Sequence, residues 1–474
     1  MRSLELIIGG EQASGQIREI KSPHSGEPVS QVHFADADLV ERAARTAERA
    51  APVMRRLPIH ERAAILTRIS QLMRDRRAEV AAAIRDEAAK PWKLADGEAA
   101  RCAETFQNAA EECKRLADGA GVGVDSMSAG DGRHGIIRRF PVGPVIGISP
   151  FNFPLNLSAH KLAPAIAAGC PMVLKPASQT PSAALLMGAM ALEAGLPPEA
   201  ISVVPAIRKH ADALIEDQRF QLITFTGSPE VGWSLKARSG KKKVVLELGG
   251  NAAAVIGPDA DLDWAAQRVA VGAFAYAGQI CISVQRVIVH KSVFEPVVAR
   301  LVEESRSGIR VGPPEDEEAI MSAMIDRENA DRIMEWIEEA QQKGSKVLCG
   351  NEREGNVVLP TVLSEVDRTL RISAQEAFGP VVTVAPFDTW DEAIGMVNES
   401  RYGLQAAVFT NDVKAVWQCF NEIEVGGVIH NDYPTFRVDM MPYGGVKDSG
   451  FGREGPRWSV AEMTEERLLV LWPR

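Results

Sequence analysis

Cysteine is scarce in this chain, with six in 474 residues, at positions 102, 113, 170, 281, 349 and 419. None forms a C-x-x-C pair or shares a zinc-type spacing with histidine, so neither a disulfide framework nor a metal site is expected. A reducing compartment, the cytoplasm, is the simplest setting for such a sequence. Long apolar runs are missing too. The stretch 162–174 carries Pro164 and Pro171, is flanked by Lys161 and Lys175, and is too short to span a bilayer. The N-terminal apolar run is too short and too interrupted for a signal peptide, so no membrane partner is expected. Positive charge is in deficit. Fifty-three Lys and Arg against 63 Asp and Glu leave a formal net charge of −10, which argues against a dedicated nucleic-acid binder. Lys241-Lys242-Lys243 reads as a solvated strand entry. There is no internal repeat, no low-complexity tract, and no G-x-G-x-x-G after a first strand, so the ordinary Rossmann fingerprint is absent.

What remains is ordinary globular material, 46% hydrophobic and 24% charged. The length exceeds one typical core and predicts two or three domains. Short strands and turns open the chain. From about Ala37 to Leu116 apolar residues recur at three- and four-residue spacing, as at Ile65, Ile69, Leu72 and Met73, and predict helices punctuated by Pro58 and Pro91. A Gly-, Ser- and Asp-rich stretch, 119–132, leads into an extended arm at 135–140. From Pro144 strands and helices alternate. Strands are expected at 145–148, 172–174, 201–204 and 222–225, and helices at 157–168 and 182–193. A second such series runs from Asn251 to about Pro442. The fold class is therefore α/β with two parallel sheets. The tail 467–472 is apolar and strand-like and needs a sheet edge to join, which another subunit would offer.

Three fragments stand out for chemistry. Cys281 lies in Gly278-Gln279-Ile280-Cys281. Glu247 ends a β-branched strand and precedes Leu248-Gly249-Gly250. Asn152 sits in Pro150-Phe151-Asn152-Phe153-Pro154. A lone cysteine is usually a small buried hydrophobe, and this asparagine suits a turn. Together, however, a thiol, a carboxylate and an amide donor are the parts needed for covalent attack on a carbonyl. A carboxylate in a strand that reads as buried is costly unless it is partnered or functional. The glycines after it suit a close backbone approach.

The order and spacing of these fragments resemble the aldehyde dehydrogenase superfamily, from the N-terminal third to the C-terminus. So does the segment Met441-Pro442-Tyr443-Gly444-Gly445-Val446-Lys447-Asp448-Ser449-Gly450-Phe451-Gly452-Arg453-Glu454-Gly455. The resemblance implies NAD(P)-dependent oxidation of an aldehyde to its acid. Cys281 would be the nucleophile, Asn152 the oxyanion donor and Glu247 the base that hydrolyses the thioester. Relatives that pass the acyl group to coenzyme A generally lack this glutamate. An acylating enzyme, or a catalytically silent binding protein on the same scaffold, is the rival reading. The family holds its dinucleotide without the usual fingerprint. By resemblance Lys175 and Ser178 would serve the adenosine ribose, and Gly227 and Ser228 would face the pyrophosphate from a helix start. Gly249 would allow a close approach, and Glu376 and Phe378, in Glu376-Ala377-Phe378-Gly379-Pro380, would serve the nicotinamide side. NAD is the expected cofactor. Ser178, where NAD-selective members often carry glutamate, admits NADP.

The resemblance also implies three parts and a homodimer or homotetramer. A dinucleotide-binding domain would cover 1–121 and 139–249, a catalytic domain 250–447, and an oligomerisation arm with a C-terminal strand 122–138 and 448–474. The segment Asn431-Asp432-Tyr433-Pro434-Thr435-Phe436-Arg437-Val438-Asp439 is similar to the subgroup acting on small polar aldehydes such as lactaldehyde, glyceraldehyde 3-phosphate and phosphonoacetaldehyde. An anionic substrate would need cations, for which Arg437 is the first candidate and Arg101 and His160 are others. Arg101 otherwise reads as a solvated helix residue, and His160 as a packing or capping one. Ile280 stands where some phosphonate-handling relatives carry an arginine, which leaves room for a less charged substrate.

Overall fold

The computed structural model describes residues 1–473. Four helices, Ala37–Arg56, Ile59–Asp75, Arg77–Ala88 and Trp92–Arg115, follow the opening strands. Asp36 starts the first by accepting the Leu39 N–H. Pro58 and Pro91 occupy the N-cap positions of the second and fourth, where a missing N–H costs no helical bond.

Five parallel strands form the centre of an eight-stranded sheet. Their spatial order is Lys243–Glu247, Leu222–Thr226, Val145–Ile148, Met172–Lys175 and Ile201–Val203. These strands are mostly apolar because helices cover both faces. Helices Ile59–Asp75, Trp92–Arg115, Asn156–Ala168 and Ser182–Glu193 pack on one face. Helices Ala37–Arg56, Arg208–Glu216 and Pro229–Arg238 pack on the other. The chain lays strands outward in one direction from Val145–Ile148, then returns to lay Leu222–Thr226 on its other side. A crevice must open where the direction reverses, beyond the carboxyl ends of these two strands.

The second sheet has seven strands. Six are parallel, in the order Thr361–Ser364, Val381–Phe387, Val284–His290, Ala252–Ile256, Gln405–Phe409 and Gly427–His430. Lys346–Cys349 adds an antiparallel edge. The chain passes from the first sheet to the second through the short turn after Glu247, so the two sheets meet beside Cys281.

Two expectations need correcting. The apolar tail finds its edge within its own chain: Thr464–Leu471 pairs antiparallel with His134–Pro141, which pairs with Ala120–Val122. That arm begins at Thr464, not at residue 448. Gly450–Phe451 joins the first sheet against Lys243–Glu247, and helix Pro456–Glu462 packs on Asn156–Ala168. The glycines of 444–455 let the segment bend back to that sheet, which its polar, turn-rich wording did not disclose. The N-terminal part of the arm, at 120–141, is likewise slightly longer than expected. Among the described residues no helix is long and apolar enough to cross a membrane.

Candidate active site

Cys281 follows an unusual turn. Tyr276, Ala277 and Gly278 all have left-handed backbones, at φ 54°, 54° and 68°. The two non-glycine residues carry a steric cost that the surroundings must meet. Tyr276 is buried, and a Cβ at Gly278 would lie 2.3 Å from the Gly379 carbonyl. Gln279 locks the next step, accepting the Ile325 N–H at 2.8 Å. Its own carbonyl accepts from Asn152 Nδ2 at 2.9 Å. An amide carries two N–H donors, so Asn152 is oriented by one and keeps the other. The backbone carbonyl of Asn152 accepts from Lys90 Nζ at 2.9 Å.

Lys90 also pairs with Glu98 at 2.7 Å, and Glu98 accepts the backbone N–H groups of Leu155 and Asn156. Both charges are fully buried. Burial brings the Lys90 ammonium down to about 8 against the raising effect of Glu98. Lys90→Met should leave Glu98 buried and unpaired, at a cost of about 3–5 kcal/mol. A thermal unfolding curve should shift clearly downward. An unchanged melting temperature would mean that the pair does not hold the Asn152 loop.

Glu247 ends its strand inside the protein, 2% exposed, with no hydrogen-bond partner at either oxygen. Burial, then the neighbouring Glu454, raises its carboxyl well above the usual range; Arg437, Lys161 and Arg453 act against this. Glu454 goes the other way. Burial opposes its ionisation, but the Lys161 ammonium, 2.9 Å away, together with Arg437, holds it ionised. Gly444 comes so close to Glu247 that a Cβ would lie 2.9 Å from Oε1. Gly250 crosses the Cys281 loop, where a Cβ would meet the Cys281 carbonyl at 2.4 Å.

The half-buried Cys281 thiol lies 2.9 Å from the Tyr443 hydroxyl. Burial pushes the thiol up to about 12; Tyr443 and Arg437 pull it down, while Glu376 and Glu247 push it further up. On one side of the thiol opens a cavity of about 480 Å³, lined by Asn152, Gly227, Ser228, Glu247, Gly249, Glu376 and Phe378 among others. It fills the crevice that the strand order requires. Phe378 meets Phe151 edge to face at 5.9 Å and forms a wall. Glu376 accepts the Gly250 N–H at 3.0 Å, and burial raises its carboxyl to about 7. A Cβ at Gly249 would strike Glu376 Oε2 at 2.0 Å. Lys175 and Ser178 do not line this cavity. They lie at and just past the end of strand Met172–Lys175, along the same carboxyl edge. The Lys175 ammonium is buried with only the Pro176 carbonyl, at 3.1 Å, and burial lowers it to about 8.

On another side lie the candidate cations. Helix Asn156–Ala168 is buried along its whole length, and His160 is part of its interior. His160 Nε2 is 2.8 Å from Asp439 Oδ1. Burial and Arg437 lower the imidazole, so it is neutral, with its hydrogen assigned to Nε2 to suit the carboxylate. Asp439 stays ionised against burial because it also receives both arms of Arg101, at 2.8 and 3.2 Å. Arg101 is thus no solvated bystander, but its charge is matched by Asp439. Arg437 is different. Its side chain is 7% exposed, and among the described residues its nearest carboxylate oxygen is Glu454 Oε2 at 3.9 Å and its Nε has no partner. It lies over the Tyr443 ring at 3.7 Å.

Sequence reasoning missed Lys90, Glu98, Lys161, Asp439, Tyr443 and Glu454. A signal existed for Lys161, a charge beside His160 in an otherwise apolar helix. Asp439, Tyr443 and Glu454 stand within or beside the quoted motifs but have no mark of their own.

A family description, "Aldehyde dehydrogenase family", matches residues 10–469. The chain is 41% identical over 468 residues to a 3-sulfolactaldehyde dehydrogenase of Priestia aryabhattai, covering 98% of this chain and 97% of that one. It superimposes on aldehyde dehydrogenase 21 from Physcomitrella patens, solved with the reaction product succinate, at a TM-score of 0.97. There the identity is 39%, over 99% of this chain and 98% of that one. It is also similar to the NADP-dependent glyceraldehyde-3-phosphate dehydrogenase of Bacillus halodurans, solved with NADP. That match has a TM-score of 0.96 and 35% identity, covering 99% of each chain.

Proposed function

The chain belongs to the aldehyde dehydrogenase family, and from that premise we propose that it oxidises a small aldehyde bearing an anionic group to the carboxylic acid. The observation that carries the anionic preference is Arg437, a buried guanidinium with no short carboxylate contact and an unpartnered Nε. A buried cation in that state favours a ligand that brings an anion. His160 and Asn156, which also contact Asp439, stand beside it. The names of relatives, sulfolactaldehyde dehydrogenase among them, and the succinate in the Physcomitrella enzyme lend support.

The chemistry divides into two half-reactions. The Cys281 sulfur bonds to the carbonyl carbon while the carbonyl electron pair moves to oxygen. The free N–H of Asn152 Nδ2 and the Cys281 backbone N–H stabilise that oxyanion. NAD or NADP, when bound, supplies the acceptor for the hydride that leaves the carbon. A thioester remains on Cys281. Glu247 takes a proton from water, the water oxygen bonds to the acyl carbon, and the carbon–sulfur bond breaks with its electron pair returning to sulfur. A carboxyl with a raised proton affinity is the better base for this step.

The cavity residues fit a dinucleotide. Gly227 and Ser228 precede helix Pro229–Arg238, whose N-terminus suits a pyrophosphate. Gly249 leaves backbone accessible, Glu376 offers an acceptor for ribose hydroxyls, and Phe378 offers a wall for the ring. The Lys175 ammonium, short of acceptors, suits the other ribose, beside Ser178. Because Ser178 carries no charge, both cofactors are admitted. Glu247 favours hydrolysis over transfer to coenzyme A.

The test is kcat/KM over matched anionic and neutral aldehydes of similar size. Wild type should prefer the anionic set, and Arg437→Ala should reduce kcat/KM for that set about 10- to 100-fold, the weight of a charge-assisted contact. The neutral set should change far less. An equal loss on both sets would make Arg437 structural.

A further inference from the structure

We propose that Tyr443 is a further catalytic residue, whose hydroxyl donates a hydrogen bond to the Cys281 thiolate and so sets the pH at which the nucleophile forms. This rests on Cys281 being the nucleophile. The observation is geometric: Tyr443 Oη and Cys281 Sγ are 2.9 Å apart, and the tyrosine is 2% exposed.

The hydroxyl is held in place from several directions. The Tyr443 N–H donates to the Glu454 carbonyl at 3.0 Å, and the Glu454 N–H donates back to the Tyr443 carbonyl. The Arg437 guanidinium lies on the ring face at 3.7 Å. Ile282 and Leu404 complete an apolar cluster with the ring. With a neutral thiol either atom can donate. With a thiolate only the O–H can. The phenol does not compete for ionisation, because burial and then the charge on Cys281 raise it well above its usual range. The other charged groups facing the sulfur are Glu376 and Glu247, which oppose ionisation, and Arg437, which favours it. Arg437 is in contact with the ring, and among the described residues the O–H is the hydrogen-bond partner of the sulfur itself.

The same bond serves both half-reactions. When sulfur bonds to carbon it loses its charge, and the O–H is released from a strong acceptor. When water displaces the acyl group, the carbon–sulfur pair returns to sulfur and the O–H meets the departing thiolate. A leaving thiol of lower basicity leaves faster. Lowering basicity also weakens attack, but less steeply. Lowering the thiol by one pKa unit gives about ten times more thiolate for about a threefold loss of intrinsic reactivity, so the balance near neutrality favours the bond.

The experiment is alkylation of the substrate-free enzyme by iodoacetamide across pH, with Cys281 followed by peptide mass spectrometry. The other five cysteines are buried. Tyr443→Phe should slow Cys281 alkylation about 3- to 10-fold at each pH between about 7 and 9, because each unit by which the thiol rises removes about ten times the thiolate and returns about threefold in reactivity. A rate that is unchanged or raised would overturn the proposal. A second protein removes dependence on that variant's folding. The chain has four tyrosines, and biosynthetic replacement by 3-fluorotyrosine strengthens the phenol as a donor without changing its shape. Cys281 alkylation at the same pH values should then quicken. An unmoved rate in the fluorinated enzyme would also overturn the proposal. Turnover is not the readout, so failure here is distinct from failure of Cys281 as nucleophile, which Cys281→Ser tests.

Discussion

Cys281→Ser should lower aldehyde oxidation by about 10⁴- to 10⁶-fold, the scale seen when a covalent nucleophile is removed. Serine keeps the size and the hydroxyl contact to Tyr443 while losing the sulfur chemistry. Its alcohol is far less acidic than a thiol, and Glu247 is placed for the water-activating step beside a site that already resists charge. Nothing in the surroundings would ionise the serine. The left-handed turn at Tyr276–Gly278 and the Asn152–Gln279 contact do not involve the side chain of residue 281, so the substituted protein should fold and should bind cofactor as before. Steady-state assays would check the loss, and cofactor titration by tryptophan fluorescence would check the binding. Substantial turnover with cofactor binding intact would remove Cys281 from the mechanism.

Glu247→Gln should separate the two half-reactions. The first turnover should proceed, giving a burst of reduced cofactor equal to the active sites. Later turnovers should slow by about 10²- to 10⁴-fold, the usual worth of a general base. Stopped-flow absorbance reads both phases, and trapping in acid followed by mass spectrometry should find the acyl group on Cys281. The pH dependence has a definite sign. Burial and Glu454 raise the Glu247 carboxyl, so the protonated form extends above the usual carboxylate range. Only the ionised form is a base, so deacylation in wild type should rise with pH through that raised value. The glutamine enzyme should lose that rise. Stability is not expected to suffer, because both carboxyl oxygens lack hydrogen-bond partners and the amide is neutral. A burst-free enzyme, or normal steady-state turnover, would exclude Glu247 as the deacylating base.

Much of this architecture was legible because it follows from periodicity. Apolar strands bounded by turns at 145–148 and 222–225 and the helical spacing from Ala37 each depend on neighbours close in sequence. Asn152, Glu247 and Cys281, which line one cavity, stand out in the sequence because each sits beside glycines or prolines whose backbone demands are local. What escaped depends on partners far apart. Arg101 looked solvated on its helix, but Asp439, 338 residues away, takes both arms of its guanidinium. His160 reads as a packing or capping residue, and it does pack, but its bond to Asp439, 279 residues away, is not visible in the sequence. Tyr443 could not be linked to Cys281 across 162 residues, and Lys161 had no visible counter-ion until Glu454 was placed beside it. The sequence leaves the tail's sheet edge open, with another subunit as one source, because its partner within the chain, His134–Pro141, lies in a stretch that reads only as an extended arm.

The return of residues 439–463 to the first sheet also bears on how the enzyme comes into being. A ribosome delivers Cys281 well before Tyr443, Glu454 and strand Gly450–Phe451, which shape its surroundings. At about 5–20 residues per second, the 162 residues between the thiol and Tyr443 take roughly 8 to 32 seconds to synthesise. During that interval the growing chain carries the cysteine without the burial that later raises its pKa, in a form open to oxidants and electrophiles. Damage to Cys281 in a starved or oxidatively stressed cell would therefore fall mainly on chains still being made.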